Sequence, residues 1–501
     1  MCGIFGLYGA DKKNVASEVY DALITLQHRG HDACGILTHD VDGFHWKKGL
    51  GFVRDVFHQG TMKHLPGKMG IGHIRYATVG CGDVKDAQPF YVPEPYGIAM
   101  AHNGNLSNYA QLRKELFEKD LFQVNSGCDV EVILAVFAKE LMKQVNKEKR
   151  ATLPQQIFKA VEGVFRRCHG AYSVTGIIAG QGMFAFRDPH GIRPMIFGAR
   201  GTGKNKEYCF TSESVMFYML GFNYVKDVGA GECIFIDKNR KIHTKQVVKA
   251  DLQPCIFEYV YFARPDSLQN NVSVYKARLR MGTLLGRRIK AMQHKLKIDV
   301  VIPAPSTSNT AALALAQEIG VKYREGLVKN HFIGRTFIMP GQEKRIKSVK
   351  SKLNPQPLEI KRKNVLLVDD SIVRGNTGKQ IVRMLKDAGA KKVYFASASA
   401  PVISPCLYGV DIPTRQELIA NQMNTEAIRK YIGADFLIYQ TVEDMLKAVR
   451  VPKALTNKFC AACFTGKYPT KEATPAVIKA NEDMRLNDKS CQKERVNYEY
   501  L

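Results

Sequence analysis

The stretch NVLLVDDSIVRGNTG, residues 364–378, decides the fold of the second half of this chain. Its apolar beginning predicts a buried strand that ends on Asp369 and Asp370. A helix over about residues 378–388 follows, and KKVYFASAS, residues 391–399, predicts the next strand. Strand, helix and strand in this order form a right-handed parallel unit. We therefore expect a doubly wound α/β domain whose site lies at the carboxyl ends of its strands.

The turn inside this stretch has the composition of a phosphate site. Val373 to Gly378 leads into a helix N-terminus, where free backbone N–H groups and hydroxyls can bind a phosphate. The two carboxylates beside it suit the hydroxyls of a ribose, or Mg²⁺ bound through water. Adjacent acids often merely end a strand, but a strand, an acid pair and a Gly/Thr turn together favour a binding site. The turn is not a Walker A loop, because no G-x-x-x-x-G-K-[ST] pattern is present.

The remaining sequence predicts two halves of different pattern. In the second half we also expect a helix, a strand and a helix over residues 274–294, 298–305 and 310–320. The first half predicts a layered α+β domain, with a helix over 129–143 and strands over 97–101, 172–179, 182–186 and 232–236. We expect domains over 2–250 and 251–470. The polar residues 471–501, which are mixed in charge, predict an irregular C-terminal tail.

Length and composition bound the class of protein. With 501 residues the chain is too long for one core, and its 45% hydrophobic and 24% charged residues are ordinary for a globular protein. No apolar run reaches the roughly 18 residues of a membrane span, and the N-terminus lacks the features of a secretory signal, so we expect a cytoplasmic protein. The net charge of +26 suits the binding of nucleic acid or of a polyanionic small molecule. No zinc-finger, RNP or KH motif is present, and a phosphate-rich substrate would be attracted by the same positive electrostatic field.

The chain opens with MCGIFG, residues 1–6. A small second residue allows Met1 to be removed, which would leave Cys2 with both a thiol and a free α-amine. An α-amine, whose reference pKa is about 7.7–8.0, can act as a base toward a thiol whose pKa is about 8.5. Pairing a terminal amine with a side-chain nucleophile is a known catalytic device. The dipeptide alone is a weak signal, so the other residues of this half have to support it.

Four such residues lie in the stretches GHIRYAT (72–78) and AHNGN (101–105) and at position 129. An arginine can bind the carboxylate of an amino-acid substrate bidentately, and an acid can bind its ammonium group. A tetrahedral oxyanion needs preorganised donors, such as a side-chain amide and a backbone N–H. These chemistries belong to Arg75, Asp129, Asn103 and Gly104. Singly each residue is ordinary, and the HNGN sequence alone could be a turn.

Residues 365–378 closely resemble the signature of type I phosphoribosyltransferases, which use 5-phosphoribosyl 1-diphosphate (PRPP). This resemblance implies that Asp369 and Asp370 contact the ribose hydroxyls and Mg²⁺. It implies a 5′-phosphate site formed by Arg374, Gly375, Asn376, Thr377 and Gly378. It also implies a diphosphate-binding loop with Ser306, Thr307 and Ser308, the last of them a further candidate ligand of Mg²⁺. The phosphate loop departs from the commoner bacterial form, Gly-Thr-Thr-Ser, because Gly378 lacks a hydroxyl.

A basic segment runs from Lys329 to Arg345 between these two stretches. One interpretation is a solvated loop. The other is a flap whose Lys329, Arg335 and Arg345 close over the diphosphate and exclude water.

The CGIFG beginning, together with QHRG (27–30) and the stretches around Arg75 and Asn103, resembles the class II, N-terminal-nucleophile glutamine amidotransferases. This resemblance implies an αββα sandwich in which Cys2 attacks the glutamine amide. Asn103 and Gly104 would form the oxyanion hole. Arg75 would bind the carboxylate of glutamine and Asp129 its α-amine, with Arg29 near the nucleophile.

The whole chain to about residue 470 thus resembles the family of PRPP-dependent glutamine amidotransferases. Stretches such as EYVYFARPDS (258–267), FRDPHGIRP (186–194) and VKNHFIGRTFIMPGQ (328–342) match its pattern. The resemblance implies that ammonia released from glutamine passes through an internal tunnel to PRPP, giving 5-phosphoribosylamine in the first committed step of purine synthesis. It also implies feedback by purine nucleotides and a homotetramer.

The 12 cysteines are scattered, which in a cytosolic protein favours free thiols, catalysis or metal binding over disulfides. The C-x-x-C of Cys460 and Cys463 alone fits half a zinc site, a redox pair or neither. Its context, with those of Cys255 and Cys406, resembles a subset of the family that carries a structural [4Fe–4S] cluster on four cysteines. Zn²⁺ on the same four cysteines is the alternative.

Two other functions stay open from the sequence. One is another class II amidotransferase, such as a glucosamine-phosphate or asparagine synthase, against which the PRPP loop argues. The other is a catalytically dead, basic regulator that senses PRPP or binds nucleic acid. The intact set of Cys2 and its four predicted partners argues against that regulator.

Overall fold

The structure, a computed structural model, describes residues 2–76, 82–147, 150–330 and 353–498. A seven-stranded and a six-stranded antiparallel sheet form the first half. Their strands are β1 (Gly3–Tyr8), β2 (Ala33–His39), β3 (Phe44–Leu50), β4 (Met69–Arg75), β5 (Phe90–Val92), β6 (Ile98–Leu106), β7 (Gly170–Ile178), β8 (Gly182–Arg187), β9 (Ile196–Arg200), β10 (Glu207–Thr211), β11 (Asn223–Asp227), β12 (Glu232–Asp237) and β13 (Ile242–Gln246).

The two sheets pack face to face. Their strand orders are β11-β9-β10-β1-β4-β2-β3 and β13-β12-β8-β7-β6-β5. In β1, Ile4 and Tyr8 pack with Ala99 and Ile177 of the other sheet, because successive side chains of a strand point to opposite faces. Phe5 points the other way, into a helix layer. The central strand β1 is therefore buried on both sides.

Helices cover the outer face of each sheet. Ala16–Leu26 packs on the seven-stranded sheet, and Asp129–Lys147 and Leu153–Arg167 pack on the six-stranded sheet. This order of layers confirms the predicted αββα sandwich. The other helical segments of this half are Gln27–Arg29, Val53–Val56, Gln59–Met62, Val84–Asp86, Tyr109–Glu118, Gly203–Asn205 and Phe217–Leu220.

The strands of the second half are β14 (Leu268–Gln269), β15 (Val272–Ser273), β16 (Val300–Pro303), β17 (Leu327–Lys329), β18 (Leu353–Pro355), β19 (Asn364–Asp369), β20 (Lys392–Ser397) and β21 (Phe436–Tyr439). Four of them form a parallel sheet of order β16-β19-β20-β21. The helical segments of this half are Glu258–Phe262, Val274–Ala291, Gln293–Lys295, Asn309–Ile319, Pro357–Ile360, Asn376–Asp387, Arg415–Glu417, Ile419–Gln422, Thr425–Ile432, Val442–Val449, Ala462–Thr465 and Pro475–Tyr498.

Both faces of this parallel sheet are covered, which confirms the predicted doubly wound fold. On one face Leu367 packs with Ile381 of the helix that follows β19. On the other face Leu366 packs with Leu285 and Leu315, which belong to the two helices on either side of β16 in the chain. The domain boundary predicted near residue 250 stays a prediction.

The expectation of an irregular tail is wrong, because Pro475–Tyr498 is a helix. Two of its apolar side chains, Ile478 and Met484, pack against buried clusters, and polar contacts add to these. Asn481 Nδ2 donates to the carbonyl oxygen of Ser107 at 3.1 Å, and Arg485 donates to that of Val410 at 3.2 Å. Such contacts leave no hydrophobic periodicity in the sequence, so the pattern did not predict the helix.

Within the described ranges, we find no helix with the length and apolar character that crossing a membrane requires.

Candidate active sites

Cys2 lies directly before β1, with its side chain buried. Its Sγ is 4.0 Å from the carbonyl oxygen of Tyr76, just beyond the end of β4. Burial raises the pKa of the Cys2 thiol, although the nearby Arg75 guanidinium opposes that rise. A protonated thiol is a poor nucleophile, so Cys2 needs a base before it can attack.

The structure brings Arg75 and Asp129 close enough to Cys2 for their charges to act on its thiol. Arg75 is the last residue of β4, and its Nη1 lies 3.5 Å from Oδ2 of Asp86. Both side chains are buried. A guanidinium and a carboxylate therefore lie beside the thiol, as the sequence predicted.

Asp129 is the first residue of its helix and is held from two sides. Its Oδ2 accepts a hydrogen bond from the backbone N–H of Leu106 at 2.8 Å, and its Oδ1 lies 3.2 Å from His102 Nε2. Although burial acts to raise it, His102 and Leu106 lower the pKa of Asp129. The carboxylate is therefore charged at neutral pH.

Asn103 and Gly104 lie within β6, opposite Ser173 and Tyr172 of β7. Asn103 is fully buried, yet neither Oδ1 nor Nδ2 has a hydrogen-bond partner among the described residues. Because buried amides are nearly always hydrogen-bonded, an unsatisfied donor here fits a site for a ligand oxygen. A Cβ at Gly104 would lie 2.0 Å from the carbonyl oxygen of Ala171, so the close approach of the strands requires glycine.

Arg29 also contacts Cys2, but it binds the main chain of that residue rather than its thiol. Its Nε donates to the carbonyl oxygen of Cys2 at 3.0 Å. Its guanidinium pairs with Glu213 and, at 2.9 Å, with Glu258. Although burial acts to raise it, His28 and Arg29 lower the pKa of Glu213 to about 2. Neither contact could be predicted from the sequence, because the two carboxylates lie 184 and 229 residues from Arg29 and no motif spacing marks them.

The predicted acid pair lies at the carboxyl end of β19. Oδ1 of Asp369 accepts the N–H of Asp370 at 2.9 Å and lies 3.4 Å from Oγ of Ser308. Burial and the neighbouring Asp370 raise the pKa of Asp369 well above its usual range. Burial also raises the pKa of Asp370 to about 6, although Arg278 acts against this rise. Both residues are half-buried, and two crowded carboxyl groups in one partly open site fit a divalent cation or sugar hydroxyls.

The predicted phosphate turn joins β19 to the helix Asn376–Asp387. Gly375 takes a φ of +78° directly before that helix. Arg374 is paired with Glu417 at 3.2 Å, and Asn376 Oδ1 accepts the hydroxyl of Tyr431 at 2.9 Å. Thr377 is exposed, whereas Gly378 is buried against Phe395 in the sheet. The turn is therefore placed as predicted, but Arg374 already has an acidic partner.

Residues predicted to bind the diphosphate are placed only in part. Ser308 is buried at the start of the helix Asn309–Ile319, Thr307 is half-buried and Ser306 is exposed. Lys329 is exposed at the end of β17. Arg335 and Arg345 lie outside the described residues.

Cys255, Cys406, Cys460 and Cys463 are free thiols in one apolar layer. Cys255 and Cys460 form a parallel backbone bridge, and the carbonyl oxygen of Cys463 accepts the N–H of Ser404, close to Cys406. Burial raises the pKa of Cys463, and the other three thiols raise it further.

Among the described residues, no three His, Cys, Asp or Glu side chains converge tightly enough to hold a metal ion. Zn²⁺ needs four ligands at about 2.0–2.3 Å from one point, so this geometry does not support the zinc alternative. An iron–sulfur cluster binds its thiolates at different irons, so these need not meet at one point. Three of the four thiols are buried, and that of Cys406 is half-buried.

The second half packs directly on the strand that carries Asn103. Asn105 Nδ2 donates to the carbonyl oxygen of Leu407 at 3.0 Å. Gly409, with φ +95°, lies so close that an added Cβ would be 2.7 Å from the carbonyl oxygen of Gly104. The segment after Cys406 therefore forms one wall of the candidate oxyanion site.

Comparisons with known proteins identify the family. Residues 73–218 match the model of a family described as a glutamine amidotransferase domain. The amidophosphoribosyltransferase of Pseudomonas aeruginosa is 50% identical over 498 residues, which are 99% of this chain and 98% of that protein.

Two solved structures are also similar over nearly the whole chain. A glutamine PRPP amidotransferase from B. subtilis, complexed with ADP and GMP, is 34% identical with a TM-score of 0.81, covering 94% of this chain and 98% of that one. A structure described as the allosteric regulatory enzyme of purine biosynthesis is 34% identical with a TM-score of 0.83, covering 96% and 99%. At this level of identity over nearly its full length, the chain belongs to the amidophosphoribosyltransferase family.

Proposed function

We propose that this chain hydrolyses glutamine at Cys2 and transfers the ammonia to PRPP, giving 5-phosphoribosylamine, diphosphate and glutamate in purine biosynthesis. One observation carries the proposal. A single chain of this family holds a buried thiol with a guanidinium and a carboxylate near it, and a half-buried acid pair at the end of a parallel strand.

In the first half-reaction the roles follow from side-chain chemistry. Once Met1 is removed, the α-amine of Cys2 takes the thiol proton and the sulfur attacks the amide carbon. Asn103 Nδ2 and the Gly104 N–H stabilise the tetrahedral oxyanion. The proton then goes to the leaving nitrogen, so ammonia departs and water hydrolyses the thioester to glutamate. Arg75 and Asp129 bind the carboxylate and the ammonium of the substrate.

In the second half-reaction ammonia attacks C1 of PRPP and diphosphate leaves. Asp369 and Asp370 would bind the ribose hydroxyls and Mg²⁺, with Ser308 as a further oxygen ligand. When bound, Mg²⁺ would neutralise charge on the diphosphate. The turn from Arg374 to Gly378 would bind the 5′-phosphate at the helix N-terminus. Positioning and stabilisation of the leaving group supply the catalysis. Closure of a flap with Lys329, Arg335 and Arg345 stays a prediction.

Ammonia would pass between the sites inside the protein. Arg278 lies between them, since it donates to the carbonyl oxygens of Tyr259 and Ala263 while its charge acts on Asp370. The segment Glu258–Phe262 also supplies the carboxylate that pairs with Arg29. One continuous buried segment therefore lies between the nucleophile and the acid pair, which supports an internal route.

The four cysteines Cys255, Cys406, Cys460 and Cys463 would hold a structural [4Fe–4S] cluster. Three observations support this: all four are free thiols, three of them are buried with Cys406 half-buried, and the fully buried Arg193 lies near them. Although burial acts to lower it, Cys255 and Glu258 raise the pKa of Arg193. Anaerobic purification should give a brown protein with about four irons per chain. A colourless, iron-free protein would contradict the cluster.

Regulation by purine nucleotides is supported by the B. subtilis relative solved with ADP and GMP. A homotetramer and a cytoplasmic location stay predictions.

The test of the activity is stoichiometric. With glutamine, PRPP and Mg²⁺, the purified protein should release one glutamate for each diphosphate, and glutamate release should depend on PRPP. Glutamate release that ignores PRPP would contradict coupled transfer. A protein that binds PRPP but turns nothing over would instead be the regulator considered above.

A further inference from the structure

We infer that Gln88, acting through His102, positions the Asp129 carboxylate for the α-ammonium group of glutamine. Gln88 belongs to none of the sequence patterns described above. The inference rests on the proposed glutaminase activity and adds two positioning residues to it. Three hydrogen bonds, one ion-pair distance and the burial of every group carry it.

The orientation of the Gln88 amide is fixed by a backbone group. Gln88 is buried, and its Oε1 accepts the backbone N–H of His102 at 2.8 Å. Because a backbone N–H can only donate, this end of the amide must be the oxygen. The amide nitrogen therefore lies at the other end, 3.1 Å from His102 Nδ1 and 3.5 Å from Cys128 Sγ.

This orientation decides where the imidazole of His102 carries its proton. An amide nitrogen only donates, so His102 Nδ1 must accept its hydrogen bond. A neutral imidazole that accepts at Nδ1 carries its proton on Nε2. Nε2 is buried without a hydrogen bond of good geometry among the described residues, and Oδ1 of Asp129 lies 3.2 Å from it as an ion-pair contact. Gln88 therefore places the imidazole proton on the nitrogen that lies beside this carboxylate.

Asp129 is then contacted at both oxygens from the protein side. Oδ2 accepts the Leu106 N–H at 2.8 Å, and Oδ1 lies 3.2 Å from the imidazole Nε2. A carboxylate has about four lone-pair positions, so each oxygen keeps one for a further donor. Asp129 is near enough to Cys2 for its charge to act on the thiol, so a glutamine whose amide lies at Cys2 can extend its ammonium group toward this carboxylate.

The test replaces Gln88 by Met, which has a similar shape and no donor. Gln88→Met should raise the KM for glutamine by about tenfold or more, while turnover with ammonia in place of glutamine stays unchanged. Gln253→Met is the matched control, since within the described part of the chain the Gln253 side chain bonds only Asp251, and the substitution should alter neither value.

A second readout isolates the ammonium group. Wild type should prefer glutamine strongly over 4-carbamoylbutanoate, which is glutamine without its α-amino group. Gln88→Met should lower this preference toward that of Asp129→Asn, and the double variant should be no worse than Asp129→Asn alone. A residue that only stabilised the fold would weaken both substrates equally.

The outcomes separate the inference from the proposed function. If wild type releases no glutamate from glutamine, both fail. If wild type does so and Gln88→Met keeps its KM and its preference, only the inference fails. Should Gln88→Met also lose turnover with ammonia, and thus its fold, His102→Phe is measured instead. An unchanged preference in that variant would overturn the inference equally.

Discussion

Arg29 Nε donates a hydrogen bond to the carbonyl oxygen of Cys2 at 3.0 Å. The same guanidinium pairs with Glu213, beside β10 in the first half, and with Glu258, from the segment that begins the second half. All three side chains are buried. The main chain of the candidate nucleophile is therefore fixed by the side chain that joins the two halves.

Replacing Arg29 by Lys should remove the planar set of guanidinium contacts while keeping the positive charge. We expect glutamine-dependent turnover to fall by about tenfold or more, because a lysine cannot reach the Cys2 carbonyl and both carboxylates in one plane. Turnover with ammonia should fall less. Arg200→Lys is the control, since Arg200 pairs with Glu18 and Glu207 away from Cys2. Equal losses in the two variants would contradict a special role for Arg29.

Glu213 should make the stability of the folded protein depend on pH. A carboxyl group whose pKa falls from 4.5 to about 2 on folding stabilises the folded state by about 3 kcal/mol at neutral pH. This stabilisation is present above about pH 5 and is lost as the pH falls toward 2. Glu213→Gln should therefore lower the midpoint of thermal unfolding at pH 7, with a difference from wild type that shrinks toward pH 3.

The exposed Glu443 provides the control for this measurement, because Glu443→Gln should leave the midpoint unchanged at every pH. A Glu213→Gln difference that stays constant between pH 7 and pH 3 would contradict the depressed pKa.

Gly409→Ala should disturb the candidate oxyanion site from the second half. The added Cβ would lie 2.7 Å from the Gly104 carbonyl oxygen at a backbone φ of +95°. We expect kcat with glutamine to fall by about tenfold or more, which steady-state kinetics would measure. Gly433→Ala introduces a similar positive φ, +75°, with no atom within 4 Å, and should cost stability alone. The account of this wall is wrong if the two variants have the same kcat.

Asp370→Asn should weaken the binding of PRPP rather than that of glutamine. Removing one carboxylate from the pair of Asp369 and Asp370 should raise the KM for PRPP by about tenfold or more and weaken the dependence on Mg²⁺. Asp387→Asn, at the exposed end of the helix Asn376–Asp387, should change neither. Unchanged PRPP kinetics in Asp370→Asn would exclude the acid pair from the site.

The sequence predicted those elements whose burial leaves a pattern of apolar residues along the chain. The apolar periodicity at 129–143 predicted the helix Asp129–Lys147, and the apolar run before Asp369 predicted β19. Both patterns arise from burial of one face or both, which leaves a period in the sequence. The motif residues were likewise found because each lies beside others of complementary chemistry in a short stretch.

Contacts between distant residues left no such signal. Arg29 pairs with Glu258 across 229 positions, and Asn481 of the final helix contacts Ser107 across 374. Gln88 lies only 14 residues from His102, but the contact depends on how β6 is packed. Spacing along the chain cannot show these pairs, because tertiary packing creates them.

The central claim is that Cys2 performs glutamine hydrolysis for a separate PRPP site. The most direct measurement compares wild type with Cys2→Ala, using glutamine or ammonia as the nitrogen donor and diphosphate release as the readout, on protein whose Met1 removal is checked by mass. We predict that Cys2→Ala loses turnover with glutamine and keeps turnover with ammonia. Glutamine-dependent turnover that survives in Cys2→Ala would contradict the account.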